Sequence, residues 1–185
     1  MVKTLARNLH AHLTTGVHLD SLPLTFKDAV GARRRLGIDY LWIVSLCIIQ
    51  DSDEDWRFQA ALMADIYENA RIIIAASVAH NSDEGCFRKT HWSYVGQQLP
   101  DFPGVHIRRN TSNPSEYGDT GWPLQKRGWV FQELCLSSRV IHFGPQEVVW
   151  QCRSTDESKS RPKEIRYQDL DIIYYPRFSA IIVAK

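Results

Sequence analysis

The sequence predicts an α/β fold: a mainly parallel sheet flanked by helices, with a C-terminal β-hairpin. Three observations carry this. The runs 40–49 (YLWIVSLCII) and 71–77 (RIIIAAS) are apolar without alternation, which suits strands covered on both faces. A stretch of helical periodicity separates them. The runs 139–143 and 147–152 flank the turn signal Gly144-Pro145, as in a hairpin. Helix, strand, helix, strand, loop, helix, strand, strand is the order of an α/β sandwich.

Each element has a local reason. Residues 1–21 are polar and weakly patterned and read as a solvated leader. Its His10-x-His12 pair has no carboxylate or thiol close in sequence, so no metal site is expected. Residues 25–36 form a helix: Pro23 precedes it, Thr25 and Asp28 have capping-box spacing, and Phe26, Ala29, Val30 and Leu36 supply an apolar stripe. Gly37 ends it.

After the strand at 40–49 the chain turns acidic. Ser52 can cap a helix whose first turn holds Asp53, Glu54 and Asp55, where carboxylates meet the positive end of the helix dipole. Trp56, Ala60, Met63, Tyr67 and Ala70 would form its buried face. The spacing Asp51-x-Asp53-x-Asp55 resembles a calcium loop, but Trp56 stands where the glycine belongs and Leu62 where the last acid belongs, which excludes calcium. Strands 40–49 and 71–77 would then pair directly, joined by this helix in a right-handed βαβ unit.

Residues 78–122 are broken by Gly85, Pro100, Pro103, Gly104, Pro114, Gly118 and Gly121. They read as a long functional or inserted loop with one short strand at 105–108. Residues 127–136 return to helix. The run 180–184 (AIIVA) is available to cover an exposed sheet edge, the alternative being a second copy of the chain.

Composition narrows the function classes. The chain has 185 residues, with 22 Lys and Arg against 21 Asp and Glu, so no charge excess suggests nucleic acid. No run reaches the roughly 18–20 apolar residues of a membrane span, and the N-terminus lacks the apolar core of a secretory signal. Cys47, Cys86, Cys135 and Cys152 show no paired spacing and read as reduced, buried thiols of a cytoplasmic protein. Cys47 lies in an apolar run and is expected to be core.

The candidate chemistry centres on RGWVFQELCLSSRV, residues 127–140. On a helix, Glu133 falls between the group Val130, Phe131, Leu134, Cys135 and the group Trp129, Leu136. A carboxylate so placed either titrates high or finds a partner, with Arg127 and Arg139 available. Asp51, at a strand end, is the second acid–base candidate. His142, between Ile141 and Phe143, and His91, in a loop, complete the set. The nearby Trp129 and Arg127, with the loop aromatics Trp122 and Trp92, are the candidate substrate-binding residues; Tyr94, Phe102 and Tyr117 add to an aromatic loop suited to an apolar substrate.

Several ordered blocks, LPLTFKDAV, LGIDYLWIVSLCIIQDSDEDW, MADIYENA, IIIAAS, GCF, RGWVFQE, SSRVIHFG and VVWQC, resemble the fungal heterokaryon-incompatibility (HET) domain. The resemblance covers residues 22–152, leaving 1–21 as leader and 153–185 as a C-terminal extension. It implies a TIR-like, flavodoxin-like fold and a role in fungal non-self recognition that ends in cell death. Some TIR domains cleave NAD with a glutamate, and the fold-level analogy places Glu133 in that role; NAD would be a substrate, and no bound cofactor is implied.

Three departures stand against the family pattern. Val44 replaces an aspartate in the Leu-Trp-Ile-Asp strand, Leu134 replaces an arginine after Gln-Glu, and nothing before Leu22 matches the usual Ser-Tyr-x-Trp-Gly opening strand. Asp51 can stand in for the carboxylate lost at Val44, or serve as a plain turn residue. The functions left open are a cell-death module, a small enzyme repurposed for secondary metabolism, and an inactive remnant. Expected partners are a small-molecule substrate and further copies of the chain, with no nucleic acid and no membrane.

Overall fold

The computed structural model describes residues 2–109 and 122–153, together with the backbone of 179–183. Among the described residues five α-helices and seven strands follow in order: α1 Ala6–Thr14, α2 Leu24–Arg35, β1 Tyr40–Trp42, the single turn α3 Val44–Cys47, α4 Asp53–Glu68, β2 Ile72–Ala75, β3 Gln97–Gln98, β4 His106–Ile107, α5 Gly128–Leu136, β5 Arg139–Phe143, β6 Val148–Cys152 and β7 Ser179–Val183. The main sheet has the order β1-β7-β2-β5-β6. β1, β7, β2 and β5 are parallel, and β6 returns antiparallel on β5 with Arg139 opposite Cys152. β3 and β4 form a separate two-stranded ribbon.

Helices cover both faces, so the molecule is an α/β layer structure. On one face α2 supplies Phe26 and Ala29 to a cluster with Ile72, Ile74, Ile141 and Phe143. On the other, Tyr67 of α4 and Val130 of α5 join Ile73, Ala75, Val140 and Leu124. Ile73 is 0% and Phe26 1% exposed; full burial of such side chains contributes about 1.5–3 kcal/mol each. That double burial is why the β2 run shows no alternation.

Several expectations change. The run 40–49 is a strand only to Trp42, and then winds through α3. The carbonyl of Ile43 accepts from Leu46 N–H and Cys47 N–H, while Thr4 donates from N–H to Ser45 O at 2.8 Å and from Oγ1 to Leu46 O at 2.7 Å. Val44 thus opens a helical turn held by the N-terminal segment. β1 and β2 are parallel but not neighbours, because β7 lies between them, pairing Ile181 with both Trp42 and Ile73. The C-terminal run does dock as a strand, but inside the sheet rather than along an edge.

Residues 2–21 are not a free leader. Thr4 is buried, α1 forms, and Val2 and Val17 pack against the first cluster. Finally, the expected buried face of α4 holds only in its second half, where Met63 and Tyr67 turn inward, with Ala70 just beyond the helix. Tyr67 is buried and Asp55, Gln59, Met63 and Ile66 are half-buried, whereas Trp56 and Ala60 are exposed.

Thr25 and Asp28 do not cap α2, which has Pro23 at its N-cap and no side-chain cap. They reach across the fold instead. Thr25 Oγ1 accepts from Gly85 N–H at 3.2 Å, and Asp28 Oδ2 accepts from Cys86 N–H at 2.7 Å. Gly85 has φ +78°, a left-handed conformation that favours glycine. All four cysteines are unpaired, but only Cys86 is buried. Burial, reinforced by the Asp28 charge, pushes its thiol up to about 12, so it is a packed side chain and not a nucleophile.

Candidate functional site

α5 has Arg127 at its N-cap and carries Val130 inward; Trp129 and Phe131 stay 77% and 59% exposed. Glu133 comes next on the buried side, at the seam with α4. There it meets Tyr67, which is 1% exposed and stacks edge-on against Trp42 of β1, with ring centroids 6.0 Å apart. Neither the Tyr67 hydroxyl nor Glu133 Oε2 has a hydrogen-bond partner of normal geometry, although both are sealed from solvent.

The two groups are nevertheless coupled. Burial raises the Glu133 carboxyl above the usual range, opposed by the Tyr67 hydroxyl and then by the Arg127 charge. Burial also raises the Tyr67 phenol, and the Glu133 charge adds to it. Of the two arginines available by sequence, Arg127 is therefore the one that acts on Glu133. It also donates from Nη2 to His80 O at 3.0 Å, just beyond the end of β2, while Arg139 donates to Arg71 O. A half-buried carboxylate with a raised pKa and one unpartnered oxygen is a candidate for a functional site.

The other candidates lie elsewhere. Asp51 Oδ1 accepts from Ala6 N–H at 2.8 Å, so its carboxylate caps α1. His142 is 1% exposed. Its Nδ1 lies 3.1 Å from Ser77 Oγ and its Nε2 3.0 Å from Gln151 Oε1, an array on the same sheet face as Val140. Burial lowers its pKa, partly opposed by the Gln151 bond, which keeps the ring neutral. Trp122, 4% exposed, stands edge-on to that ring at 5.8 Å, its Nε1 unpartnered. It is part of the core rather than a wall of an open pocket.

His91 starts the short turn Trp92–Tyr94, accepts from Ser93 N–H and packs on Trp92, which is 66% exposed. Phe102 is exposed and Tyr94 carries Arg109 over its ring at 5.6 Å; Tyr117 lies outside the described residues.

The fold thus brings Glu133 to Arg127, and His142 to Trp122, but it does not assemble Glu133, Asp51, His142 and His91 into one site. Tyr67, Ser77 and Gln151 escaped the sequence reading. Helical periodicity marks Tyr67 only as part of an apolar face; the further signal is its phenol, which needs a partner once buried. Among the described residues no cluster of three or more metal-binding side chains occurs, and no helix is long and apolar enough to cross a membrane.

Comparison with known proteins gives the family. No solved structure matches the chain. A Neurospora crassa protein described as heterokaryon incompatibility protein 6, OR allele, is 28% identical over 151 residues, covering 64% of this chain. The match spans 22% of that protein's length. The sequence model of the family described as heterokaryon incompatibility protein (HET) matches residues 2–133, a span that includes the N-terminal helix and ends at Glu133. On that match the chain belongs to the HET family.

Proposed function

We propose that this HET-family chain acts in fungal non-self recognition and that its chemistry is cleavage of NAD at the bond between nicotinamide and ribose, with Glu133 as the site carboxylate. The family match and the Neurospora relative support the first part. One observation carries the second: Glu133 keeps a sealed, unpartnered carboxylate oxygen within the α4–α5 seam. The run of parallel strands covered by helices on both faces is in keeping with a TIR-like, flavodoxin-like arrangement.

In this reading nicotinamide leaves with the bonding electron pair, and positive charge develops on the ribose ring. The Glu133 carboxylate stabilises that charge, as carboxylates do in glycoside hydrolysis. Water then adds at the ribose carbon and releases a proton. Trp129, exposed one turn before Glu133, would stack on a flat ring, and Arg127 would meet a phosphate. Because burial raises the Glu133 carboxyl, the rate should fall as pH drops through its titration.

The test is nicotinamide release from NAD by the purified chain and by Glu133→Gln, which keeps shape and loses charge. The variant should be inactive with an unchanged fold. Equal rates in both would remove Glu133 from the mechanism. No release from either would overturn NAD cleavage, and favour a scaffold with other chemistry or none.

A further inference from the structure

Two blocks far apart in sequence, MADIYENA and RGWVFQE, meet at the α4–α5 seam, and the polar atoms they bring together are the Tyr67 hydroxyl and the Glu133 carboxylate. Tyr67 is 1% exposed, so its hydroxyl cannot turn to water. Leaving a buried hydroxyl unbonded is destabilising, and a phenylalanine would pack on Trp42 and Ile73 without that cost. Glu133 Oε2 is sealed in the same way, while Oε1 is not among the sealed, unpartnered atoms. The two groups act on each other across the seam, and neither the hydroxyl nor Oε2 has another hydrogen-bond partner, so each is the donor or acceptor that the other lacks.

We propose that Tyr67 is the positioning residue for Glu133: its hydroxyl donates to Oε2 of the charged carboxylate and leaves Oε1 to face the ligand. The edge-on stack with Trp42, at 6.0 Å and 78°, fixes the phenol ring and hence the direction of its O–H. Trp42 closes β1, so a third block of the sequence, LWIV, serves the same carboxylate. This deepens the proposed role of Glu133 and rests on it.

The experiment uses the full chain with Tyr67→Phe, Glu133→Gln and the double variant. Each is assayed for nicotinamide release and for thermal unfolding across pH. Tyr67→Phe keeps the ring and its packing. It should lower kcat roughly tenfold or more, with KM for NAD within about twofold. The acid limb of its pH–rate profile should move to higher pH, because the Tyr67 bond to the carboxylate is gone. A purely structural tyrosine would leave that limb in place, and an unmoved limb overturns the proposal.

Unfolding judges the pair independently of catalysis. A carboxylate raised by burial contributes stability at low pH that is lost as pH rises through its folded titration. Tyr67→Phe should enlarge that loss, and Glu133→Gln should abolish it in both backgrounds, giving a non-additive cycle. If wild type releases no nicotinamide but the cycle is non-additive, the NAD reading falls and the Tyr67–Glu133 bond stands. An additive cycle overturns the bond itself.

Discussion

Replacing Gly85 with alanine tests the contact that ties α2 to the GCF block. Gly85 has φ +78°, and a Cβ there would lie 2.7 Å from Asp28 Oδ2 and 3.0 Å from Leu24 Cδ2 and Cγ. Leu24 is 48% exposed and can swing away. Asp28 cannot, because the same oxygen accepts from Cys86 N–H at 2.7 Å. Two costs therefore add. The left-handed conformation costs an L-residue about 1–2 kcal/mol, and displacing a charged acceptor from a hydrogen bond costs about 1.5–3 kcal/mol.

Gly85→Ala should thus lose roughly 2.5–5 kcal/mol of a total that is typically about 5–15 kcal/mol. Gly16 provides the control: its φ is +83°, with nothing within 4 Å of a Cβ. Gly16→Ala should cost only the backbone share, about 1–2 kcal/mol. Urea unfolding with matched slopes reads both. In an Asp28→Ala background the Gly85→Ala loss should shrink toward that of Gly16→Ala. Equal losses for the two glycines in the native chain would refute the contact, as would an unchanged loss after Asp28 is removed.

Three further outcomes follow from the titrating and capping groups. His142 is held neutral, with its pKa lowered by burial, so it contributes stability above the usual histidine range that is lost as pH falls through about 6.5 toward the folded value. His142→Gln should flatten that fall in the unfolding midpoint, and an unchanged slope would point to another group. Glu133→Gln should match or exceed wild type in stability at neutral pH, the gap closing as acid protonates the wild-type carboxyl. A variant less stable at neutral pH than in acid, relative to wild type, would contradict the sign. Asp51→Ala removes the carboxylate from Ala6 N–H at a local cost of about 0.5–2 kcal/mol; α1 amides should exchange faster with little change in the global midpoint.

How far the fold and site were legible follows from the range of the forces involved. The α4 start was readable because Ser52 Oγ accepts from Asp55 N–H only three residues on. The β2 run was readable because burial on both faces leaves only apolar positions. The buried face of the first half of α4 was not. Asp55 Oδ2 accepts from Ile49 N–H at 2.7 Å, and that contact turns Asp55 and Gln59 inward where periodicity had placed Trp56 and Ala60. Glu133 stood out as a lone acid on an apolar helix, but its partner Tyr67 could be identified only once α4 and α5 were packed.

The sequence by itself therefore determined α2, α4, β2, α5, the strand pair β5 and β6, and the family. A cap, a left-handed glycine or an apolar run acts through neighbours a few residues away, and ordered blocks survive as patterns of residue type. Only the tertiary structure decided which elements are neighbours. It placed β7 between β1 and β2, set Thr25 and Asp28 on Gly85 and Cys86 instead of a helix end, and wound 44–47 into a turn clasped by Thr4. Each of these depends on a hydrogen bond or strand pairing between residues distant in sequence, and neither propensity nor periodicity carries information over that separation.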